Sequence, residues 1–578
     1  MFTKKILHQQ SSQNIFHVFT ILACSILLLY RSFFSFTWSD ESFYLTIVHR
    51  LWLGEIMFVD EWYTTQLSAP LLLPFYSFFQ RITQGSDGVY LYFRFLYWLL
   101  SSISTFFIYF KIKKWNSSIT ALFCSLIYMF YSRANIFGLS YYNTTLTFVL
   151  LGVVFIYHNC MLQRPRFFDL YITGIFFALA VVITPYLSIA YIGISLFFLI
   201  YKKTRIYWKA LFNVVLGTGT TALLYLSYVF NKVSLSDIIS NIPHVLNEPE
   251  LQKTNPLLAF PLIFLRIAWR YKWTILPYIL LLFYILYKHK KNSSFSAKNR
   301  KVIILINLLI FTVNFFLSSN LLGCVNIALA LYGLIILVYK NSLTSSLKSI
   351  LNTFYLSGFC VVLTFTFSSD TGLDAMAIGF VFLSIGTILC LFQNINKTES
   401  QQEYFLIKVV IISVILQTAF LRIFSVYRDA PLNQLSTQIS SGPAKYLYTT
   451  PEHEKQYTDL ENDINLYVRD NDKVFYTVNC FWAYLCTKNE YGTPSSWRVG
   501  MNSPRLTEYF SINPKKIPTC IFVLRPEYGN FESSFIQGNE KTERPNENKL
   551  KGFLYDYIKM NNYETIEAKS SIIFRKRN

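Results

Sequence analysis

The chain has 578 residues, of which 53% are hydrophobic, 18% aromatic and only 15% charged, and its formal net charge is +20. Soluble domains carry about 25% charged residues, so this composition excludes an ordinary soluble protein and indicates a chain solvated mainly by lipid. The basic residues fall in short clusters between apolar runs rather than in one tail or on one face, which argues against nucleic-acid binding.

Thirteen apolar runs are long enough to cross a bilayer, which needs about 20 apolar residues per helix. The first run follows Lys4 and Lys5 without a small-residue cleavage site after it, so we predict a retained helix rather than a signal peptide. The stretch from Phe167 to Tyr201 must cross twice, with its turn near Pro185. The runs start near Ile15, Val89, Ser118, Asn143, Phe167, Pro185, Ala210, Lys272, Val302, Leu322, Leu351, Ala375 and Val409.

Basic clusters recur in every second gap between these runs, and by the positive-inside rule those gaps are cytoplasmic. The sequence therefore predicts a multi-pass protein of the cell membrane with a cytoplasmic N-terminus and, after an odd number of crossings, an extracytoplasmic C-terminus. The clusters contain Lys4, Lys5, Lys111, Lys113, Lys114, Arg164, Arg166, Lys202, Lys203, Arg205, Lys209, Lys288, Lys290, Lys291, Lys298, Arg300, Lys301, Lys340, Lys348 and Lys397.

Two predicted outer loops are long, at about residues 36–88 and 231–271, and long ordered loops between membrane helices are usually functional. Apolar residues recur near helical spacing in Ser42–Phe58 and in Pro256–Trp269, so we predict two helices lying on the membrane surface. Most acidic residues before Tyr427 fall on the outer side. This bias fits either ordinary solvated loops or an outward-facing site that uses carboxylates.

Residues 428–578 have the composition of a soluble domain, whereas residues 1–427 form the membrane part. The pattern predicts a small extracytoplasmic α/β domain without a nucleotide-binding glycine loop. Spacing alone leaves a Cys480–Cys486 disulfide open. The predicted elements are helices near Glu454–Val468 and Glu547–Met560, strands at Val474–Val478 and Cys520–Leu524, and a strand or hairpin at Tyr563–Phe574.

An acidic pair, Asp40-Glu41, follows the first predicted helix directly. Carboxylates at a membrane surface are costly to desolvate and tend to be functional when they face a cavity in the protein. The alternative is that Ser39 and Asp40 cap the start of the surface helix, and the two roles are compatible. We predict a functional role for Asp40.

The order of helix, acidic pair, surface helix and proline-containing apolar lead-in to the next helix resembles the C-type membrane glycosyltransferases. The nearest members are the protein O-mannosyltransferases and the bacterial lipid A aminoarabinose transferases. The count of thirteen helices with an outer C-terminal domain also resembles the aminoarabinose transferases. In this family an Asp, often Asp-Glu, after the first helix is the presumed catalytic base, which the resemblance maps onto Asp40 and Glu41. The stretches that carry the rest of the resemblance are Thr65–Leu72, Arg94 near the start of the next helix, and Trp269–Trp273.

The chain also departs from the family pattern. The Glu-Lys-Pro-Pro element of the aminoarabinose transferases is absent, and Gln66 and its neighbours stand near its position. The second acid that many members carry after the third helix is absent as well. Asn143, which follows Tyr142, would then take its place, or Asp60 and Glu61 would supply a second carboxylate or an acceptor contact. We therefore expect a transferred sugar other than aminoarabinose.

The resemblance implies transfer of a sugar from a polyprenyl-phosphate donor to a glycan, lipid or protein acceptor on the outer face, with Asp40 taking the acceptor proton. Arg270 and Lys272 are the first candidates to bind the leaving phosphate. Arg94 and Arg266 come next, and anchoring at the lipid interface is the alternative for all four. No cofactor is assigned, and a divalent-cation requirement stays open.

A transporter, flippase or polymerase for lipid-linked oligosaccharides or polysaccharides is the alternative function. Transporters usually show internal repeats and charges near the bilayer midplane, and the sequence shows neither; Asp370 and Asp374 are the best transporter-like candidates. A polymerase would be expected to use an Arg/His-rich loop between late helices, whereas the long acidic loop here comes first. The segment Val426–Asp429 resembles a recurring join in uncharacterised bacterial membrane proteins, which implies no activity.

Overall fold

The structure is a computed structural model, and the part of the chain that it describes has several gaps. It describes residues 2–38, 40–162, 164–193, 205–246, 265, 269, 271–290, 297–317, 322–339, 344–368, 376–395, 401–477, 480–497, 503–529 and 553–577.

Helices dominate the first three quarters of the chain. Residues 187–193 are also helical, after a break at Thr184 and Pro185. A π-helical turn at Leu351–Tyr355 joins two of the helices. The helices are α1 (Phe2–Arg31), α2 (Asp40–Trp52), α3 (Ala69–Thr83), α4 (Val89–Lys113), α5 (Ser118–Met129), α6 (Tyr141–Met161), α7 (Phe167–Ile183), α8 (Arg205–Phe230), α9 (Leu235–Leu246), α10 (Lys272–Lys290), α11 (Ala297–Leu317), α12 (Leu322–Tyr339), α13 (Ser345–Ile350), α14 (Leu356–Ser368), α15 (Ala377–Ile395) and α16 (Gln401–Phe424).

Six stretches of helix within the described residues are long and apolar enough to cross a membrane: Ser12–Arg31, Val89–Lys113, Tyr141–Met161, Trp208–Phe230, Ser345–Thr366 and Gln401–Phe424. Five shorter apolar helices accompany them. For each of the thirteen apolar runs predicted from the sequence, described helix also lies at or beside the first residue of the run. The prediction of a helical membrane protein is thus confirmed at this coarse level.

The described residues between 437 and 577 form a mixed sheet flanked by helices, which we call the C-terminal unit. The five-stranded sheet has the order β4-β3-β5-β7-β6, with β3 parallel to both β4 and β5 and with β7 antiparallel to β5 and β6. Cys480 and Cys486 are not joined by a disulfide. The elements are β1 (Thr437–Gln438), β2 (Tyr448–Thr449), α17 (Pro451–Tyr467), β3 (Lys473–Tyr476), β4 (Glu490–Tyr491), α18 (Pro504–Ile512), β5 (Cys520–Leu524), α19 (Pro526–Gly529), α20 (Phe553–Met560), β6 (Tyr563–Glu567) and β7 (Ser571–Lys576).

Local side-chain caps start two of the helices near the site described below. Ser140 accepts a hydrogen bond from the backbone N–H of Asn143 and so caps α6. Thr450 accepts one from the N–H of His453, and Pro451 supplies the favoured first residue of α17. Such caps satisfy helix donors that would otherwise lack a partner, and each contributes about 0.5–2 kcal/mol.

The first loop, residues 32–88, shares one apolar core with the C-terminal sheet. Trp38 packs against Trp482 with ring centroids 5.5 Å apart, and Phe43 packs against Trp497 at 4.7 Å. Residues 41–50 of α2 are all buried. The helix predicted within Ser42–Phe58 therefore exists, but its predicted place on the membrane surface is wrong, because the C-terminal residues cover it.

The second predicted surface helix, Pro256–Trp269, lies outside the described residues except for Leu265 and Trp269. The transporter-like pair Asp370 and Asp374 also lies outside them.

Candidate functional site

Asp40 is the first residue of α2, and its carboxylate faces the segment that follows α16. Its Oδ2 accepts a hydrogen bond from Tyr427 Oη at 2.6 Å and lies 3.0 Å from Arg428 Nη1. The side chain keeps 16% of its surface exposed. A carboxylate at a helix start is also stabilised by the helix dipole. Asp40 is therefore paired but partly exposed, so that a ligand can still reach its carboxylate.

Tyrosine hydroxyls and a second arginine surround this carboxylate. Burial and the negative charge of Asp40 raise the pKa of both Tyr44 and Tyr427, so both hydroxyls stay protonated and can donate hydrogen bonds. Arg133 stacks on Tyr142, with its guanidinium carbon 3.8 Å from the ring centroid, and interacts electrostatically with Asp40. We call this set the Asp40 site: Asp40, Tyr44, Arg133, Tyr142, Tyr427 and Arg428.

Strained backbone flanks the Asp40 site. Ala134, Asn135 and Arg428 adopt φ angles of 50°, 59° and 51°, a left-handed conformation that side chains other than glycine rarely take. Each such residue costs on the order of 1–3 kcal/mol and persists only where its surroundings hold it. Here the Asn135 amide donates to the carbonyl of Arg422 at 3.0 Å, and Arg422 Nη1 donates to Asn135 Oδ1 at 2.5 Å. These bonds fix the turn that carries Arg133.

Asp429 fixes the other strained residue, Arg428, against α2. Its Oδ2 accepts a hydrogen bond from the backbone N–H of Phe36 at 2.9 Å, four residues before Asp40. Its Oδ1 lies 2.9 Å from His453 Nδ1, at the start of α17. Asp429 thus ties the segment after α16 both to the first loop and to the C-terminal unit, and it positions Arg428 beside Asp40.

Glu41, the second acid of the pair, has a different partner. Arg94 Nε and Nη2 each lie 2.5 Å from a carboxylate oxygen of Glu41 in a buried bidentate pair. The remaining N–H groups of Arg94 donate to the carbonyls of Ser32 at 2.6 Å, Ser35 at 2.9 Å and Phe34 at 3.4 Å. All five donors are engaged, which favours a positioning role for both residues over the base and phosphate-binding roles expected from the sequence.

Asp60 and Glu61 belong to a buried ionic cluster between the first loop and the C-terminal unit. Arg50, only 1% exposed, lies 2.5 Å from Glu55 Oε2 and 2.9 Å from Glu61 Oε2. Lys516, just after α18, reaches Asp60 Oδ1 at 3.4 Å and Glu55 Oε1 at 3.3 Å. Charges this deeply buried persist only when they are paired. Their pairing favours a structural role for both acids, in which they hold the first loop and the C-terminal unit together.

Gln66 and Asn143 also hold backbone segments in place. Gln66 accepts a hydrogen bond from the N–H of Phe58 at 2.7 Å and donates to the carbonyl of Glu61 at 2.8 Å. Asn143 donates to the carbonyl of Gly138 at 3.0 Å. Tyr142 is different, because its ring packs against the guanidinium group of Arg133.

Lys272, the first residue of α10, lies over the ring of Trp269 at 3.8 Å. It is also 5.7 Å from the ring of Trp273. This cation–π arrangement fits the interfacial alternative for Lys272. Arg266 and Arg270 lie outside the described residues, so the predicted phosphate-binding group can be placed only in part.

A small cleft with a volume of about 10 Å³, enough for roughly one water molecule, lies beside Glu41. Glu41, Tyr44 and Tyr90 supply its polar groups, and Leu45, Leu72 and Phe93 are among its apolar lining residues.

Sequence reasoning selected Asp40 and Tyr142 but did not assign roles to Arg133, Tyr427 or Arg428. A signal was present, because Arg133 and the run Tyr427-Arg428-Asp429 stand next to the ends of predicted helices. That these side chains meet at Asp40 could be recognised only from the folded structure.

Two findings complete the description of the site. Within the ranges that the structure describes, no group of three or more His, Cys, Asp or Glu side chains is arranged to hold a metal ion. No protein-family model matches the sequence, and no curated protein matches it with significant similarity.

Proposed function

We propose that the chain is a membrane glycosyltransferase of the C-type class, which moves a sugar from a polyprenyl-phosphate donor to an acceptor at the outer membrane face. The proposal includes thirteen crossings, a cytoplasmic N-terminus and an extracytoplasmic C-terminal unit. The described helices at or beside the predicted starts of the apolar runs, together with the basic clusters between the runs, support this topology.

The observation that carries the proposal is the surroundings of Asp40. A partly exposed carboxylate lies at the start of a buried helix, beside Tyr427 and Arg428 and close to a second cation, Arg133. Hydrogen bonds of Asn135 and Asp429 hold the strained backbone of both arginine-bearing segments in place. A carboxylate among cations suits a reaction that needs a base and also releases an anion.

In the proposed reaction the acceptor hydroxyl attacks the anomeric carbon of the donor sugar. The new bond forms between the acceptor oxygen and the anomeric carbon, and the acceptor proton passes to the Asp40 carboxylate. The bond between the anomeric carbon and the phosphate oxygen breaks, and its electron pair leaves with the polyprenyl phosphate. A single displacement of this kind inverts the anomeric centre.

We assign the stabilisation of the leaving phosphate first to Arg133 and Arg428, because both interact electrostatically with Asp40 while Arg94 is saturated by Glu41 and backbone carbonyls. Guanidinium groups bind phosphate oxygens through two parallel N–H bonds. Arg270, Arg266 and Lys272 remain candidates for the same task.

The test compares Asp40→Asn with Asp87→Asn in membranes supplied with a panel of polyprenyl-phosphate hexoses and pentoses. Asp87 is a matched control, since it is an acid of the same loop whose side chain is 55% exposed and lies 3.2 Å from Lys445 Nζ. Loss of a general base lowers such rates by about 10²–10⁴-fold. We expect that loss in polyprenyl-phosphate release for Asp40→Asn alone. Wild-type release by a correctly inserted Asp40→Asn variant would remove the base from the proposal.

A further inference from the structure

The short helix α9 (Leu235–Leu246) has an apolar stripe that the described residues leave uncovered. Leu235, Ile239, Ile242 and Leu246 are 58%, 63%, 38% and 58% exposed. Their spacing of four, three and four residues places all four on one face of the helix. Single exposed apolar residues are ordinary, but four on one face form a contiguous patch that marks an interaction surface.

Another side of α9 packs against the rest of the protein. Asn241 and Val245 are buried, and Val245 packs in the core that contains α18. His244 Nδ1 lies 2.9 Å from Glu508 Oε1 of α18, and the His244 ring stacks on Trp62 with centroids 4.6 Å apart. The helix is therefore fixed to the C-terminal unit by one side and presents its stripe on another.

The chain that precedes α9 identifies what covers the stripe. Helix α8 is a candidate membrane span from Trp208 to Phe230, and its residues Leu223 and Leu224 are 69% and 71% exposed. A polar turn with exposed Asn231 and Lys232 follows at once. This order of apolar span, polar turn and amphipathic helix is expected where a chain leaves the bilayer core and then lies in its surface.

The length of α9 excludes a second crossing. Twelve residues of α-helix extend roughly 18 Å, well short of the approximately 30 Å of a bilayer core. The helix also has its own N-terminal cap, because Ser234 Oγ accepts a hydrogen bond from the N–H of Asp237 at 3.0 Å. It is a separate, capped element rather than a continuation of α8.

We propose that α9 lies in the plane of the membrane, with its stripe in the boundary between headgroups and acyl chains, and that it holds the C-terminal unit against the lipid surface. The partner is the phospholipid bilayer. The surface-helix role that the sequence suggested for the segment containing α2 thus falls to α9. This inference stands independently of the glycosyl-transfer proposal, because it uses none of the residues of the Asp40 site.

The experiment places a diazirine-bearing amino acid at Ile239 or at Ser240 of the full chain. Both positions are exposed neighbours, but they lie on different sides of the helix. The protein is reconstituted in nanodiscs of phosphatidylethanolamine and phosphatidylglycerol, irradiated, and its α9 peptide is weighed by mass spectrometry. We expect at least fivefold more phospholipid adduct at position 239 than at position 240.

Equal phospholipid labelling at the two positions would overturn the proposal, as would exclusive cross-linking of position 239 to protein. Hydroxyl-radical footprinting of the unmodified chain gives an independent reading in case a labelled variant inserts poorly. In nanodiscs the oxidation of Ile239 and Leu246 should be at least threefold lower than their exposed fractions of 63% and 58% predict. Full oxidation of both in nanodiscs would also overturn the proposal.

Discussion

Asp40 and Arg428 form an ion pair of 3.0 Å that joins the first turn of α2 to the segment after the last apolar helix. Under the proposed mechanism this pair places the base next to a cation that can bind the leaving phosphate.

Replacing that cation should slow transfer. In Arg428→Gln we expect polyprenyl-phosphate release to fall by about 10²–10³-fold, because the leaving phosphate loses one of the two guanidinium groups first assigned to it. The measurement is polyprenyl-phosphate release in membranes. Arg525→Gln is the matched control, since Arg525 forms a more exposed ion pair with Glu567 at 2.5 Å. Wild-type release by a correctly inserted Arg428→Gln variant would contradict the assigned role.

The buried pair of Glu41 and Arg94 should be needed for stability rather than for chemistry. In Glu41→Gln the guanidinium of Arg94, which is 2% exposed, loses its counter-charge, and removal of one partner of a buried pair costs about 3–5 kcal/mol. Thermal unfolding in detergent should therefore show a lower Tm. The double variant Glu41→Met/Arg94→Met should recover much of the loss. A Glu41→Gln protein with an unchanged Tm and no transfer activity would instead make Glu41 a catalytic residue.

The sequence predicted those features that lipid or local geometry imposes. Helices begin at Val89, Ser118 and Lys272, as predicted, because apolar length and capping residues decide where membrane-type helices start. The strands at 473–476 and 520–524 were likewise recognisable from runs of apolar residues.

Features that depend on contacts distant in sequence were not predictable. The apolar spacing of α2 fits a membrane surface and a protein interior equally well, and only the ring contacts from Trp482 and Trp497 decide for the interior. Glu41 and Arg94 were each selected from the sequence for separate roles. Their mutual pairing favours a positioning role for both, and no single-sequence pattern contains that information.

His49 should make the loop's attachment to the C-terminal unit sensitive to acid. It is 1% exposed, its Nδ1 lies 2.7 Å from Tyr76 Oη, and burial lowers its pKa from 6.5 to about 3. Above pH 6.5 both states hold a neutral imidazole. As the pH falls below 6.5 the unfolded state takes up a proton that the folded state refuses, so stability is lost progressively toward pH 3.

The size of this acid effect can be measured directly. Between pH 7 and pH 5 one such histidine should lower the free energy of unfolding by about 2 kcal/mol. Urea unfolding in detergent, followed by the fluorescence of Trp482 and its neighbours, reports the change. In His49→Gln the difference between the two pH values should shrink by that amount. Equal pH dependence in the variant and the wild type would show that His49 is not the group responsible.

The crossing of α7 and α8 should tolerate no side chain at Gly217. A Cβ built there would collide with the carbonyl oxygen of Tyr171, and one on Gly174 would collide with that of Val214, so the two backbones approach closely at both glycines. Small residues permit such close packing between membrane helices. Gly217→Ala must push the helices apart, and overpacking of this kind costs about 1–3 kcal/mol.

Gly219, two residues along the same helix, is the control, because a Cβ there would meet no atom within 4 Å. Gly219→Ala should leave Tm unchanged or raise it slightly, since alanine favours helix over glycine by about 0.5–1 kcal/mol. Equal Tm values for the two variants in detergent would show that α7 and α8 do not cross at this point.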